Sequence, residues 1–323
     1  MKASATSEPV LAVIDIGSNS IKLLVAASGS VAGSTLRVVF QEALETRISS
    51  GIGKNKPTLS EIGMTAGVGA IVRLREMAKP FSPTHTCIVA TSAVRDAANQ
   101  AEFSARVKNT TGSLLEILSG DDEALLIARG IQTDPALDGV KEFNLVDLGG
   151  GSLECIRYQN NRIDQAISLQ LGAVRLTEKF VTDPQKPFTD SARQAIAAES
   201  HRAIAASGFK FIPGAKLVGT GGAFTVARAI FAHRKGFTKK ESWPAELSRA
   251  DLAALLEEIA PLDTAARSRI PKLTPERADI LPAALTTILV LLDNARADRV
   301  LHSFNNLRFG VAARFFAQLR GDR

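Results

Sequence analysis

At 323 residues the chain is too long for most single cores and long enough for two α/β domains of ordinary size. Its 45% apolar and 22% charged residues exclude a disordered chain, and no apolar run reaches the roughly 18 residues a membrane span needs, which excludes a membrane-embedded one. A net charge of +6 suits an anionic partner, but the basic residues form no dense run and one Trp and one Tyr offer little for base stacking, which argues against a nucleic-acid module.

The opening MKASATSEP has no apolar segment behind it, because Asp15 interrupts the run from Val10, so no export leader is predicted. Val10 to Ile16 and Ile21 to Ala27 read as two strands joined by the turn Gly17-Ser18-Asn19-Ser20. Arg37 to Glu45 adds a third strand, and a helix follows from the capping box Thr58-x-x-Glu61 to Lys79-Pro80. Thr86 to Ala90 is a strand entering the turn Thr91-Ser92-Ala93, with a helix over Val94 to Lys108. Leu114 to Leu118 is a strand broken at Ser119-Gly120, and Asp121 to Gln132 is rich in helix formers. Phe143 to Leu148 then repeats the opening pattern of strand, Asp, Gly/Ser turn and second strand, here from Leu153, and the recurrence predicts a duplicated unit.

A strand over Gln165 to Leu171, a helix over Ser191 to Ser207, and a strand over Lys216 to Val218 lead to the turn Gly219-Thr220-Gly221-Gly222 and a helix from Ala223. Phe237 to Pro244 is polar, holds the only Trp, and is predicted to be a surface loop. Arg249 to Ile259 and Pro275 to Asp293 are helical, the second bent by Pro282. Arg299 to Ser303 is a last strand and Phe309 to Leu319 a closing helix. Strands alternating with helices predict an α/β fold. Cys87 and Cys155 both lie in apolar segments, which predicts buried free thiols in a reducing compartment and hence a cytoplasmic protein.

The chemistry concentrates in the two turns. In Asp15-Ile16-Gly17-Ser18-Asn19-Ser20 the glycine permits a sharp reversal that gathers backbone N–H groups and two hydroxyls into one small space, a nest for phosphate oxygens. Asp147-Leu148-Gly149-Gly150-Gly151-Ser152 offers a second nest, whose three glycines let a ligand approach the backbone. One such turn usually just reverses a hairpin; two matched Asp-x-Gly turns point to phosphate. Asp147 and Glu154, at the two ends of the second turn, can reach the same cation, and magnesium favours one or two carboxylates with waters and phosphates. Glu123 falls in a helix first turn beside Asp121 and Asp122, where the dipole favours the ionised carboxylate; it is a general base or an ordinary first-turn acid. Arg95 follows the Thr91-Ser92 turn, and Arg47, Arg175, Arg277 and Arg308 are further guanidinium candidates for a polyanion. Gly219, Thr220, Gly221 and Gly222 hold a nucleotide or part of a phosphate chain, or form a plain strand-to-helix turn. No Walker A loop, His-Glu-x-x-His pair or Gly-x-Ser-x-Gly elbow occurs, and the four histidines are scattered.

In order along the chain, VIDIGSNSIKLLV, ATSAVRDAAN, LSGDDEA, LVDLGGGSLE, LGAVRLTE, VGTGG and ERADILP resemble the exopolyphosphatase / guanosine pentaphosphate phosphatase family. That family belongs to the actin-like ATPase, sugar kinase and Hsp70 superfamily, and the likeness spans Val13 to about Gly310. It implies two ribonuclease-H-like domains with the active site in the cleft between them: residues 9–125, closed by a C-terminal helix 309–323, and residues 126–308. The implied phosphate ligands are Gly17, Ser18, Asn19 and Ser20 in the first loop, Gly149, Gly150, Gly151 and Ser152 in the second, and Arg95. The implied base is Glu123, and the metal positions, for magnesium or manganese, are Asp147 and Glu154 with Asp15.

Two stretches depart from the family pattern. The usual R-L-G-E-G reads Arg47-Ile48-Ser49-Ser50-Gly51, without its Glu, and the usual S-D-R-G-L-R-E-G reads Ser303-Phe304-Asn305-Asn306-Leu307-Arg308-Phe309-Gly310. Longer relatives add helical domains with an HD-like fold; the resemblance here is to short two-domain members, linked to shorter polyphosphate chains. The expectation is a magnesium-dependent exopolyphosphatase acting on inorganic polyphosphate. The alternatives are a guanosine pentaphosphate (pppGpp) 5'-phosphohydrolase, an actin-like kinase, and a polyphosphate- or nucleotide-binding regulator without catalysis. The resemblance also implies homodimers, while composition and the lack of a long apolar run predict no nucleic acid or membrane partner.

Overall fold

The structure, a computed structural model, describes residues 8–29, 36–52, 56–160 and 162–321. The first half comprises β1 (Val10–Ile16), β2 (Ser20–Ser28), β3 (Leu36–Glu45), α1 (Glu61–Ala78), β4 (His85–Ala90), α2 (Ser92–Arg95), α3 (Gln100–Thr111), β5 (Leu115–Ile117) and α4 (Gly120–Ile131). The second comprises β6 (Phe143–Leu148), β7 (Leu153–Gln159), β8 (Arg162–Leu169), α5 (Ala173–Phe180), α6 (Asp190–Ala206), β9 (Lys216–Gly221) and α7 (Gly222–Arg234). It continues with β10 (Glu246–Ser248), α8 (Arg249–Ile259), α9 (Thr264–Arg267), α10 (Pro275–Ala278), α11 (Leu281–Ala295), β11 (Arg299–His302) and α12 (Leu307–Arg320).

The two sheets repeat one topology. The first runs β3-β2-β1-β4-β5, and the second runs β8-β7-β6-β9-β11 with β10 added at the edge. In each, an antiparallel three-stranded meander is extended by parallel strands on the far side of its first strand. This is the ribonuclease-H-like order, present twice. Among the described residues no helix is long and apolar enough to cross a membrane.

Strand alternation sorts the core into two layers and thereby places the site. Ala12, Ile14 and Ile16 of β1, and Val146 and Leu148 of β6, pack into one cluster with α1, α5, α6 and α11. Leu11 and Val13 of β1, and Phe143 and Leu145 of β6, face a second cluster filled by Leu126, Ile127 and Ile131 of α4 and by Phe309, Val311 and Phe316 of α12. The period of two puts Asp15 on the Leu11 and Val13 face and Asp147 on the Phe143 and Leu145 face. Both acids therefore end apolar stripes directed at the same helices. α4 and α12 cross closely: a Cβ at Gly310 would lie 1.7 Å from the Leu126 carbonyl oxygen.

Several boundaries differ from the expectations. The first long helix is capped by Ser60, whose side chain accepts from the Gly63 N–H, and not by Thr58. The helix expected over Val94 to Lys108 is two helices, broken where the Asn99 amide bonds both backbone groups of Leu59. The helix expected over Pro275 to Asp293 is likewise split at Asp279. Pro282 starts α11 instead of bending it, since a first-turn proline forfeits no helical hydrogen bond. The strand expected over Gln165 to Leu171 is β8, three residues earlier at its start. β9 runs through Gly219, Thr220 and Gly221, so these are strand residues and not a turn. Trp243, expected in a surface loop, is half-buried against Phe304. The short elements β10 and α9 and the helix α5 carried no element prediction.

Candidate active site

The two hairpin turns are built alike. In the first, Asp15 lies opposite Lys22 and the Gly17 N–H donates to the Ser20 carbonyl at 3.2 Å. In the second, Asp147 lies opposite Glu154 and the Gly149 N–H donates to the Ser152 carbonyl at 3.0 Å. Residues directly opposite in an antiparallel pair share a face, so each hairpin presents two charged side chains at its tip.

The turns meet. A Cβ on Gly150 would sit 2.8 Å from Ser18 Cβ, and one on Gly151 would sit 2.3 Å from Ser92 Oγ, so only glycine permits the approach. Ser18 and Ser92 share a buried hydrogen bond of 3.3 Å between their hydroxyls. The carbonyls of Gly149 and Gly150 accept from the first N–H groups of α5, and Arg175 Nε donates to the Gly151 carbonyl at 2.8 Å. Among the described residues, the N–H groups of Ser18, Asn19, Gly150 and Gly151 stay uncommitted to other backbone groups, which is what an oxyanion nest requires.

Both turns line one cavity of about 80 Å³ with Asp15, Glu123, Asp147, Glu154, Lys22 and Arg277 in its wall. Glu123 stands in the first turn of α4, behind the N-cap Ser119. Arg95 Nη1 donates to its Oε2 at 2.7 Å and to the Leu118 carbonyl at 3.0 Å.

Electrostatically the cavity is strained by its own acids. Burial pushes Glu123 up to about 7, against the opposing pull of Arg95. Burial likewise pushes Asp147 up to about 6, with Lys22 pulling down and the Asp15 charge adding. Glu154 is raised well above the carboxylate range by burial and then by the charges of Glu123 and Asp147, although Ser168 Oγ donates to it at 2.7 Å. Asp15 is raised by burial, partly offset by Lys22. Four buried carboxylates around so small a space favour a cation among them. Among the described residues no three His, Cys, Asp or Glu converge into an all-protein metal site. Magnesium, which keeps waters and phosphate oxygens in its shell and takes one or two carboxylates, fits that donor set.

Of the residues expected at the site, Asp15, Gly17, Ser18, Asn19, Ser20, Glu123, Asp147, Gly149, Gly150, Ser152 and Glu154 line the cavity. Gly151 stands just behind it against Ser92. Arg95 is placed on Glu123, outside the cavity wall. The Asn19 side chain is committed to Glu45 at 2.6 Å and to Arg47 at 3.2 Å, so it offers its backbone. Gly221 and Gly222 line the cavity, Thr220 lines a neighbouring one, and Gly219 packs under Phe224 and Val300. Arg175 is buried structure, bonded to Asp96, Gly151 and Ile52. Arg47 pairs with Asp279 at 2.6 Å, tying the stretch that departs from the family pattern to the second half. Sequence reasoning missed Lys22, Thr91, Ser92 and Asn306 as cavity residues. Lys22 was readable from hairpin register, seven residues after Asp15 as Glu154 follows Asp147.

Fold and site together define an α/β protein in which the ribonuclease-H-like sheet order occurs twice and matched glycine turns wall one cavity. The Ppx/GppA phosphatase family model matches residues 24–317, and the chain belongs to that family. It is 24% identical over 320 residues to the guanosine-5'-triphosphate,3'-diphosphate pyrophosphatase of Vibrio vulnificus (strain YJ016), a match that covers 99% of this chain. The chain spans 62% of that relative's length. An exopolyphosphatase from Cytophaga hutchinsonii ATCC 33406 has a similar structure, with a TM-score of 0.83 and 22% identity, covering 97% of this chain and 99% of the other. The Ppx/GppA family member of Aquifex aeolicus is similar at a TM-score of 0.76 and 23% identity, covering 98% and 99%. These structural likenesses establish the fold.

Proposed function

We propose that the protein is a magnesium-dependent exopolyphosphatase that releases terminal orthophosphate from inorganic polyphosphate. The observation that carries this reading is one cavity lined by two nests and by Glu123, a buried carboxylate whose pKa of about 7 suits a base at neutral pH. The uncommitted N–H groups of the turns hold the terminal phosphate oxygens, and Lys22 and Arg277 add positive charge. Asp147 and Glu154, with Asp15, would hold magnesium or manganese, which when bound neutralises phosphate charge. Arg95 fixes the Glu123 carboxylate against α4. Glu123 then orients a water and takes its proton as the water oxygen attacks phosphorus in line; the P–O bond to the shortened chain breaks and that chain leaves with the electron pair. Positioning and charge stabilisation account for most of the acceleration, as in other phosphoryl transfers.

A second reading, hydrolysis of guanosine pentaphosphate, is favoured by the apolar side of the same cavity, where Ala223, Val226, Ile280, Leu281 and Ala284 offer a surface for a nucleoside. Steady-state orthophosphate release from the two substrates, side by side with magnesium, decides. A higher kcat/KM on polyphosphate supports the first reading and a higher value on guanosine pentaphosphate the second. Release from neither overturns both.

A further inference from the structure

The triple-glycine turn presents three carbonyls, and α5 supplies donors for all of them. The Ala173 N–H donates to the Gly149 carbonyl at 3.0 Å, and the Val174 and Arg175 N–H groups to the Gly150 carbonyl at 2.8 and 3.2 Å. Arg175 Nε donates to the Gly151 carbonyl at 2.8 Å. The helix start abuts the turn: a Cβ on Gly172, its N-cap, would lie 2.3 Å from the Gly151 nitrogen. In a trans peptide the N–H points opposite to the C=O that precedes it, and the described residues contain no cis bond. Tying the carbonyls of Gly149, Gly150 and Gly151 to α5 therefore turns the N–H groups of Gly150, Gly151 and Ser152 away from that helix. Gly150 and Ser152 line the inner cavity.

The first two peptides are held by backbone donors, which no side-chain substitution removes. The third is held by a side chain with further commitments. Arg175, only 7% exposed, also donates through Nη1 to the Ile52 carbonyl at 2.8 Å and through Nη2 to the Asp96 carboxylate. Gly151 belongs to the second half of the chain, Ile52 and Asp96 to the first. Three acceptors from three segments converge on one planar fork, an arrangement a guanidinium satisfies and a single ammonium does not. The packing it closes is tight. A Cβ on Gly151 would meet Ile52 Cδ1 at 2.8 Å, Ser18 Oγ at 2.6 Å and Ser92 Oγ at 2.3 Å.

We infer that Arg175 is a positioning residue for oxyanion binding: its fork sets the direction of the Ser152 N–H and seats the second turn against the first, so that both nests address one phosphate. It acts through the Gly151 peptide and does not touch the ligand. Its place in turnover rests on the proposed hydrolase reading, whereas its place in binding rests on the geometry alone.

Calorimetric titration of orthophosphate with magnesium present reads the nests without turnover. The proteins compared are the natural chain, Arg175→Lys and Asp96→Asn, each at a temperature where its melting curve shows it folded. Lys keeps a charge beside Asp96 but cannot serve three acceptors, whereas Asn keeps an acceptor for Nη2 and leaves Arg175 on Gly151 and Ile52. Kd should rise about tenfold in Arg175→Lys, the worth of one hydrogen bond to a charged group, and by no more than about twofold in Asp96→Asn. Unchanged affinity in Arg175→Lys, or a greater loss in Asp96→Asn, would make Arg175 an ion-pair staple between the halves and overturn the inference. The Asp96→Asn result decides by itself if Arg175→Lys does not fold. No binding by the natural protein overturns the nest and the inference together. In turnover of polyphosphate, kcat of Arg175→Lys should fall by at least about tenfold, because oxyanion donors act most strongly in the transition state; an unchanged kcat removes Arg175 from the reaction. Weakened orthophosphate binding in Arg175→Lys, when the natural protein hydrolyses neither polyphosphate nor guanosine pentaphosphate, upholds the inference and removes the proposed function.

Discussion

Replacing Glu123 by Gln isolates the proposed proton transfer. The substitution keeps the side-chain volume and a carbonyl oxygen for Arg95 Nη1, which now sits 2.7 Å from Oε2 and retains the Leu118 carbonyl at 3.0 Å. Because burial already pushes this carboxyl up to about 7, it is only about half ionised at neutral pH. Little stability then depends on the ion pair, and the melting temperature should move by only a few degrees. A positioned general base contributes roughly 10²–10⁴-fold, so kcat should fall by that range with KM nearly unchanged. Orthophosphate release measured across a pH series adds the sign: the base must be ionised, so the natural protein should lose activity as pH falls below about 7. A bound divalent cation pulls the same group down and moves that limb to lower pH. The variant should show no such limb. Indistinguishable rates and pH profiles in the two proteins would refute the role of Glu123.

The other predictions concern the cation, the buried histidine and the glycine at the end of β9. Asp147→Asn should reduce magnesium-dependent activity and also the magnesium-induced rise in melting temperature, which for the natural protein corresponds to about 2.7 kcal/mol at a hundredfold excess over Kd; an undiminished thermal shift would remove Asp147 from the metal set. His302 is pushed down to about 3 by burial and then by Arg228 and Lys240. The unfolded chain takes up this proton near 6.5 and the folded chain resists until about 3. Stability is therefore fully present above 6.5 and lost as pH falls through that window, by up to about 5 kcal/mol. Urea unfolding of His302→Asn against the natural protein should show a flatter acid limb, and parallel limbs would contradict it. Gly221 has φ of +110° and a Cβ there would lie 2.3 Å from the Leu148 carbonyl oxygen, so Gly221→Ala should cost at least about 2 kcal/mol in the same assay.

The hairpins were legible because each is a buried apolar strand ending in Asp and a glycine turn, a pattern local to about ten residues. Their register then follows from strand alternation, which is why Asp147 and Glu154 could be paired in advance and why Lys22 could have been. What escaped was set by distant partners. Arg95 was expected on phosphate, but α4, 28 residues later in sequence, brings Glu123 to within 2.7 Å of it. The Gly219-Thr220-Gly221 segment reads locally as a turn, yet its parallel register with Val146 to Leu148 makes it strand. Trp243 lies in a polar segment and is covered only because β11 delivers Phe304 beside it.

In the proposed reaction, water taken up at Glu123 attacks the terminal phosphorus without any acceptor. Turnover of polyphosphate in ¹⁸O-labelled water with magnesium follows that oxygen. Each released orthophosphate should carry one ¹⁸O from solvent, with the shortened chain unlabelled at its new end and no acceptor required. Orthophosphate free of label, or release that appears only when a nucleotide or sugar acceptor is added, would contradict hydrolysis and place the protein among the phosphotransferases of its fold.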